Sequence, residues 1–161
     1  MPYKASDLQP GDILLITASR GSLLDSLIKW STDSPYVHAA IVGDGCIIEG
    51  LWKVTESPLN KYEGNGWAFS VPGSTAEQRN AAVKWATSRV GRHYGVLEIL
   101  LDGARFDLHW LPRHPIVPRR LTCSALVASA YLASGFRLTW APFPAPADLA
   151  ASPLLSGRRL W

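Results

Sequence analysis

Cys123 opens the run Thr122-Cys123-Ser124-Ala125-Leu126-Val127, in which a polar residue leads into an apolar helical stretch. A thiol at a helix N-terminus is where a thiolate forms most easily, because exposed N–H groups and the helix dipole stabilise negative charge there. Arg119 and Arg120 add positive charge just upstream. A nucleophilic cysteine also needs a base, and the base needs a group that orients it. The candidates stand far earlier in the chain, with His38 in Pro35-Tyr36-Val37-His38 and Glu49 in Ile47-Ile48-Glu49-Gly50. The chemistry implied is acyl transfer by a cysteine hydrolase whose histidine precedes its cysteine.

Whether His38 and Glu49 meet depends on strand register. Gly43-Asp44-Gly45 is a hairpin turn between Val37–Val42 and Cys46–Leu51. With Asp44-Gly45 at its centre, Val42 pairs with Ile47 and Ala40 with Glu49. His38 and Glu49 then become diagonal neighbours on one face, about 7–8 Å apart at the backbone and within side-chain reach. A carboxylate there would accept the imidazole N–H and stabilise the imidazolium. A slip of one residue would place the two on opposite faces. The same register puts Cys46 on the other face with Val37, Ala39, Ile41 and Ile48, as a small core residue.

The elements that must position these groups are legible in outline. Pro10-Gly11-Asp12 is a turn before a strand at Ile13–Thr17. Ser22 to Ser34 has helical spacing and is ended by Pro35. Trp52–Thr55 reads as an extension of the hairpin's return strand, and Trp67–Val71 as a further strand. Ser74-Thr75-Ala76-Glu77 is a capping box opening a helix to about Val90, with Ala82, Val83, Ala86 and Val90 as its buried stripe and Gly91 as its cap. Gly95–Leu101 suits a short helix. Cys123–Ser134 is a helix closed by Gly135, with Leu126, Val127, Ala130 and Tyr131 as its buried face. Pro146–Ala150 suits a helical turn. Strands and helices mix without βαβ alternation, which predicts an α+β fold with an antiparallel sheet.

Composition narrows the function classes. The chain has 161 residues, 47% hydrophobic and 18% charged, which suits one globular domain over 1–161 that buries roughly 70% of its unfolded surface. A net charge of +3 with scattered basic residues is too thin for a nucleic-acid footprint. Two cysteines make no disulfide framework, so a reducing compartment is expected. The first apolar run, Ile13–Ile16, is too short for a signal peptide, and no run approaches the ~20 apolar residues of a membrane span. A cytoplasmic location without stable membrane insertion is expected, with delivery by lysis or a dedicated secretion machine compatible. His93, His109 and His114 show no metal-ligand spacing, and neither metal nor cofactor is expected. Trp30, Trp52 and Trp67 are candidate walls of a substrate groove.

The segments Pro10–Leu15, Ser34–Val42, Ile48-Glu49-Gly50 and Leu121–Val127, together with Pro146-Ala147-Asp148-Leu149, resemble the permuted NlpC/P60 (YiiX-like) papain-fold cysteine hydrolases. The resemblance covers most of the chain, and the order of His strand, Glu strand and Cys helix carries it. It implies an antiparallel half-barrel sheet packed against helices in a circularly permuted papain-like fold. It also implies a Cys123 nucleophile, a His38 base, a Glu49 orienting acid and the Cys123 N–H as an oxyanion donor. Tyr36, two residues before the histidine, is a candidate second donor or pocket wall, or else a turn aromatic covering the sheet edge. The implied substrate is a small or cell-wall-derived peptide cleaved through a thioester. A lipid acyl hydrolase or acyltransferase of the lecithin:retinol acyltransferase-like kind is an alternative, as is a non-catalytic binding module. The stretch between Tyr94 and Cys123, rich in Trp, Arg and Pro, departs from the family pattern and leaves the substrate range open.

Overall fold

The computed structural model describes residues 4–17, 34–50, 53–92 and 123–160. Among them, six strands form one open sheet: β1 (Ile13–Thr17), β2 (Tyr36–Val42), β3 (Cys46–Gly50), β4 (Val54–Pro58), β5 (Gly66–Ser70) and β6 (Ser156–Leu160). Their order is β4-β3-β2-β1-β5-β6, and every neighbouring pair is antiparallel. Three helices accompany the sheet: α1 (Ala76–Thr87), α2 (Cys123–Ala133) and α3 (Pro146–Ala150). Short 3-10 turns lie at Ala5–Asp7 and Leu59–Tyr62. The architecture is α+β, as the mixed pattern of the sequence predicts.

The sheet is covered on both faces, which explains why β1 is apolar at successive positions rather than alternating. Ile13 and Leu15 join Ala39, Ile41, Ile48 and Phe69 beneath α1, α2 and α3, where Ala82, Ala86, Leu126, Val127, Ala130, Tyr131 and Leu149 complete the main core. Leu14 and Ile16 point the other way and join Ala40, Val42, Ile47 and Ala68 in a smaller core. The N-terminal Ala5 and Leu8 and the turn residues Leu59 and Tyr62 close that core.

One local irregularity matters for the site. β1 and β2 keep one register from Ile13↔Ile41 to Ile16↔His38, but Thr17 then pairs with Tyr36. Val37 is therefore an extra residue, a β-bulge beside His38. Bulges bend a strand and re-aim its side chains. Tyr36 accordingly packs into the helix-side core, although strict alternation would give it the face of Ala40.

α2 is apolar almost all round, as suits a helix buried against a sheet. It ends in a Schellman motif: Phe136 N–H donates to the Tyr131 carbonyl at 2.8 Å and Gly135 N–H to that of Leu132 at 3.1 Å. Gly135 supplies the left-handed conformation this stop requires, at φ +98°. The ring of Phe136 meets Tyr131 edge-on at 6.4 Å. The Tyr131 hydroxyl donates to the Gly11 carbonyl, tying the helix to the start of β1.

Several elements differ from the sequence reading. Val54–Pro58 does not extend β3 but doubles back along it as β4, with Glu49 opposite Thr55 and Ile47 opposite Ser57. α1 is capped one residue later than expected: Thr75 Oγ1 accepts from Gln78 N–H, and the Gln78 side chain returns the bond. The helix stops at Thr87, so Val90 is exposed rather than part of the buried stripe. β6 was not foreseen, because Ser156-Gly157-Arg158-Arg159 carries no apolar alternation. It pairs with β5 at the sheet edge, and Gly157 leaves room for the ring of Phe69, which a Cβ would meet at 2.4 Å. The helix expected after Ser22, the helix expected over Gly95–Leu101, and Trp30, Trp52, His93, His109, His114, Arg119, Arg120 and Thr122 lie outside the described residues.

The packing makes a stability prediction within one helix. Leu126 is fully buried in the main core, whereas Leu132 is 49% exposed. Leu126→Ala is expected to cost about 2–5 kcal/mol and Leu132→Ala less than about 1 kcal/mol, read from urea denaturation midpoints.

Candidate active site

Three segments that are remote in sequence converge at the bulge. β2 and β3 pair with Ala40 opposite Glu49 and Val42 opposite Ile47, the register that a turn centred on Asp44-Gly45 requires. His38 and Glu49 therefore share a face, and His38 Nε2 lies 2.9 Å from Glu49 Oε2. The Glu49 side chain is fully buried.

A buried carboxylate is tolerated only when its oxygens are satisfied. Among the described residues Glu49 has four partners. Oε2 accepts from His38 Nε2 and from the Tyr62 hydroxyl at 2.5 Å. Oε1 accepts from the Ser57 hydroxyl at 2.5 Å and from the Lys61 ammonium. Lys61 Nζ also lies 3.3 Å from Ser57 Oγ. Burial alone would raise the proton affinity of Glu49. The bonds from His38, Lys61, Ser57 and Tyr62 overcome that and hold its carboxyl well below the usual carboxylate range. An ionised Glu49 can only accept, so Nε2 of His38 must carry a proton and donate.

Nδ1 is then the ring nitrogen left for the thiol. Cys123, half-buried at the first position of α2, has its Sγ 3.9 Å from Ser124 Oγ and lies near enough to His38 and the Ala39 backbone for both to act on its proton affinity. α2 packs on the opposite side of the sheet from the face that His38 shares with Ile16 and Glu49. The helix therefore covers the other side of the sheet, and its first residue, Cys123, comes close to His38 beside the bulge. Desolvation would raise the thiol pKa, yet the bond to His38 and its positive charge, with the Ala39 and Ser124 bonds, lower it below the ordinary thiol value. Desolvation likewise works against a charged imidazole. Hydrogen bonds to Cys123 and Glu49 and their negative charges outweigh it and raise His38 from 6.5 to about 9. The two shifts together favour a thiolate–imidazolium pair.

Cys46 has no such setting. It packs at the rim of the main core, and burial, then the charges of Glu56 and Asp44, push its thiol up. Tyr36 sits at the start of β2 on the Cys123 face, its ring edge-on to Phe69 at 6.3 Å. Trp67 also packs against the main core, near Phe69. Ser57, Lys61 and Tyr62 were not foreseen. The signal for Ser57 lay in a second hairpin, which places it on the face of Glu49. Lys61 and Tyr62 come from an irregular turn whose sequence carries no periodic mark.

No family model matches the chain, and no curated protein matches its sequence. Among solved structures the chain is similar to the metalloprotein yiiX from Escherichia coli O157:H7, with a TM-score of 0.68 at 19% identity over 95% of this chain and 97% of that one. The chain has a YiiX-like fold.

The cage around Glu49 has a measurable consequence. Its carboxyl is held below the ordinary 4.5, so the unfolded chain takes up a proton that the folded protein refuses. The stabilisation is complete above that ordinary value and is lost as the pH falls below it. Urea midpoints measured between about pH 6 and pH 3 are expected to fall steeply in the wild type, and Glu49→Gln should lose that part of the slope.

Proposed function

We propose that this chain is a cysteine hydrolase of the permuted NlpC/P60 type, a half-barrel, circularly permuted papain-like enzyme that cleaves amide bonds in small peptides, such as cell-wall-derived ones. One observation carries the reading: a single imidazole is bonded to a buried carboxylate and stands near enough to a thiol at a helix start for the two to shift each other's proton affinity. A structural histidine needs one partner, whereas a general base needs two.

The Cys123 thiolate attacks the substrate carbonyl carbon. The oxyanion is received by the Cys123 N–H at the start of α2, with Tyr36 on the same face as the pocket wall or second donor. The His38 imidazolium passes its proton to the leaving amine, which departs and leaves a thioester on Cys123. Neutral His38 then takes a proton from water as that water attacks the thioester, and the thiolate is expelled with the imidazolium restored. Glu49 keeps Nε2 protonated and the ring aimed at Cys123 throughout.

The structural neighbour is a metalloprotein, so the donor set of this chain bears on the question. Both oxygens of Glu49 are already held by four donors, one of them an ammonium. Among the described residues there is no group of three His, Cys, Asp or Glu side chains able to share an ion. These residues do not fit a metal site.

Alkylation by iodoacetamide, read at each cysteine by mass spectrometry, tests the pair. Cys123 is expected to react rapidly well below the ~8.5 of a free thiol, with Cys46 slow at the same pH. His38→Ala should return Cys123 to ordinary thiol behaviour and reduce peptide hydrolysis by at least about a hundredfold. Rates should fall on the alkaline side near pH 9, where His38 loses the proton that the leaving group needs. A Cys123 that titrates as an unperturbed thiol would overturn the reading.

A further inference from the structure

Lys61 has no place in the reaction just described, yet its ammonium is bonded to the fully buried Glu49. The other three donors to that carboxylate differ in kind. Ser57 and Tyr62 bring neutral hydroxyls, and His38 carries a charge that comes and goes during the proposed reaction. Lys61 brings a charge that the proposed reaction neither adds nor removes.

The charge balance of the cluster gives that constant charge a role. In the resting pair, Glu49 and the Cys123 thiolate are negative while His38 and Lys61 are positive, so the group is neutral. After acylation the thiolate has become a thioester and His38 has given up its proton. Glu49 and Lys61 remain, and the group is neutral again. Without Lys61 each state would carry one uncompensated negative charge in a poorly solvated site. The anion nearest the imidazole would be Glu49, drawing the proton onto His38.

We infer that Lys61 is a positioning residue acting through Glu49: by neutralising the buried carboxylate it limits how tightly His38 holds its proton, so that the imidazolium can release it to a leaving group. The inference rests on the proposed hydrolase reading for its purpose, but not for its physical content. Among the described residues, the titratable groups facing His38 are Glu49 from β3, Cys123 from α2 and Tyr62 from the turn, whose ring lies 6.0 Å from the imidazole. The partner from β1 is the apolar Ile16. Lys61 is thus the cation bonded to the carboxylate that His38 donates to, and its side chain is 35% exposed. Its field is partly screened, so the effect should weaken with added salt.

The test is the His38 titration, followed by NMR of histidine-labelled full-length protein in the absence of substrate. Lys61→Gln can still donate a hydrogen bond but carries no charge. It is expected to raise the His38 pKa by roughly half a unit to one unit above wild type, less so at high salt. Lys61→Arg keeps the charge and should stay near the wild-type value. On a peptide substrate, Lys61→Gln should lower kcat by about threefold with little change in KM, and move the alkaline limb upward. Lys61→Met makes the same charge change and replaces Lys61→Gln if that variant fails to fold. A folded charge-free variant whose His38 titrates as in the wild type, or lower, would overturn the inference. A wild-type Cys123 that behaves as an ordinary thiol would sink the hydrolase reading while leaving the effect of Lys61 on His38 to be read independently.

Discussion

The buried carboxylate of Glu49 is the interaction on which the site depends. Moving a carboxylate out of water costs several kcal/mol even after the protein relaxes. Here four donors from β2, β4 and the following turn offset that cost. The same bonds hold β4 and the Leu59–Tyr62 turn against β3, so the local fold and the chemistry share one set of contacts. Satisfying the anion also settles the tautomer of His38, since a carboxylate can only accept. A protein that merely tolerated this glutamate would leave it exposed near the turn. Its full burial makes it an organising charge.

The bulge at Val37 falls beside the histidine that bonds Glu49 on one face of the sheet, with the Cys123 helix over the other. A regular strand would commit His38 to the face of Ala40 and Glu49. α2 lies over the opposite face, where Leu126, Val127, Ala130 and Tyr131 are buried. The extra residue breaks the alternation beside His38 and brings Tyr36 to the helix side. Cys123 at the start of α2 lies beside the Ala39 backbone and the neighbouring imidazole, so β2 forms part of the thiol's surroundings. The Schellman stop at Gly135 and the bond from Tyr131 to Gly11 fix the far end of α2, and with it the placement of its first residue.

The electrostatics follow from this arrangement of partners more than from burial. Desolvation acts against the charged form of Cys123, His38 and Glu49 alike, and in each case specific hydrogen bonds reverse it. Cys46 shows the contrary outcome. Burial pushes its thiol up, and the negative charges of Glu56 and Asp44 push it further. Burial acts the same way on both thiols, and the neighbours of Cys123 reverse it while those of Cys46 add to it.

Much of the site was legible in the residues themselves. The Asp44-Gly45 turn determined the register of β2 and β3, because strand side chains alternate strictly and a short loop leaves little freedom. That register alone put His38 and Glu49 on one face. The apolar run after Cys123 and the glycine at 135 determined α2, because helix spacing and its stop are local properties. The sequence did not reveal that α2 lies over the other face of the sheet, nor that a bulge falls beside His38. It did not reveal the return of β4 or the edge strand β6. Nor did it disclose Ser57, Lys61 and Tyr62 as the cage of Glu49. Those outcomes depend on contacts between segments distant in the chain, and on a turn without periodicity. The residues determined which groups were available for chemistry, while the tertiary structure decided how they meet, because the demand of one buried charge for partners is met only when remote segments pack together.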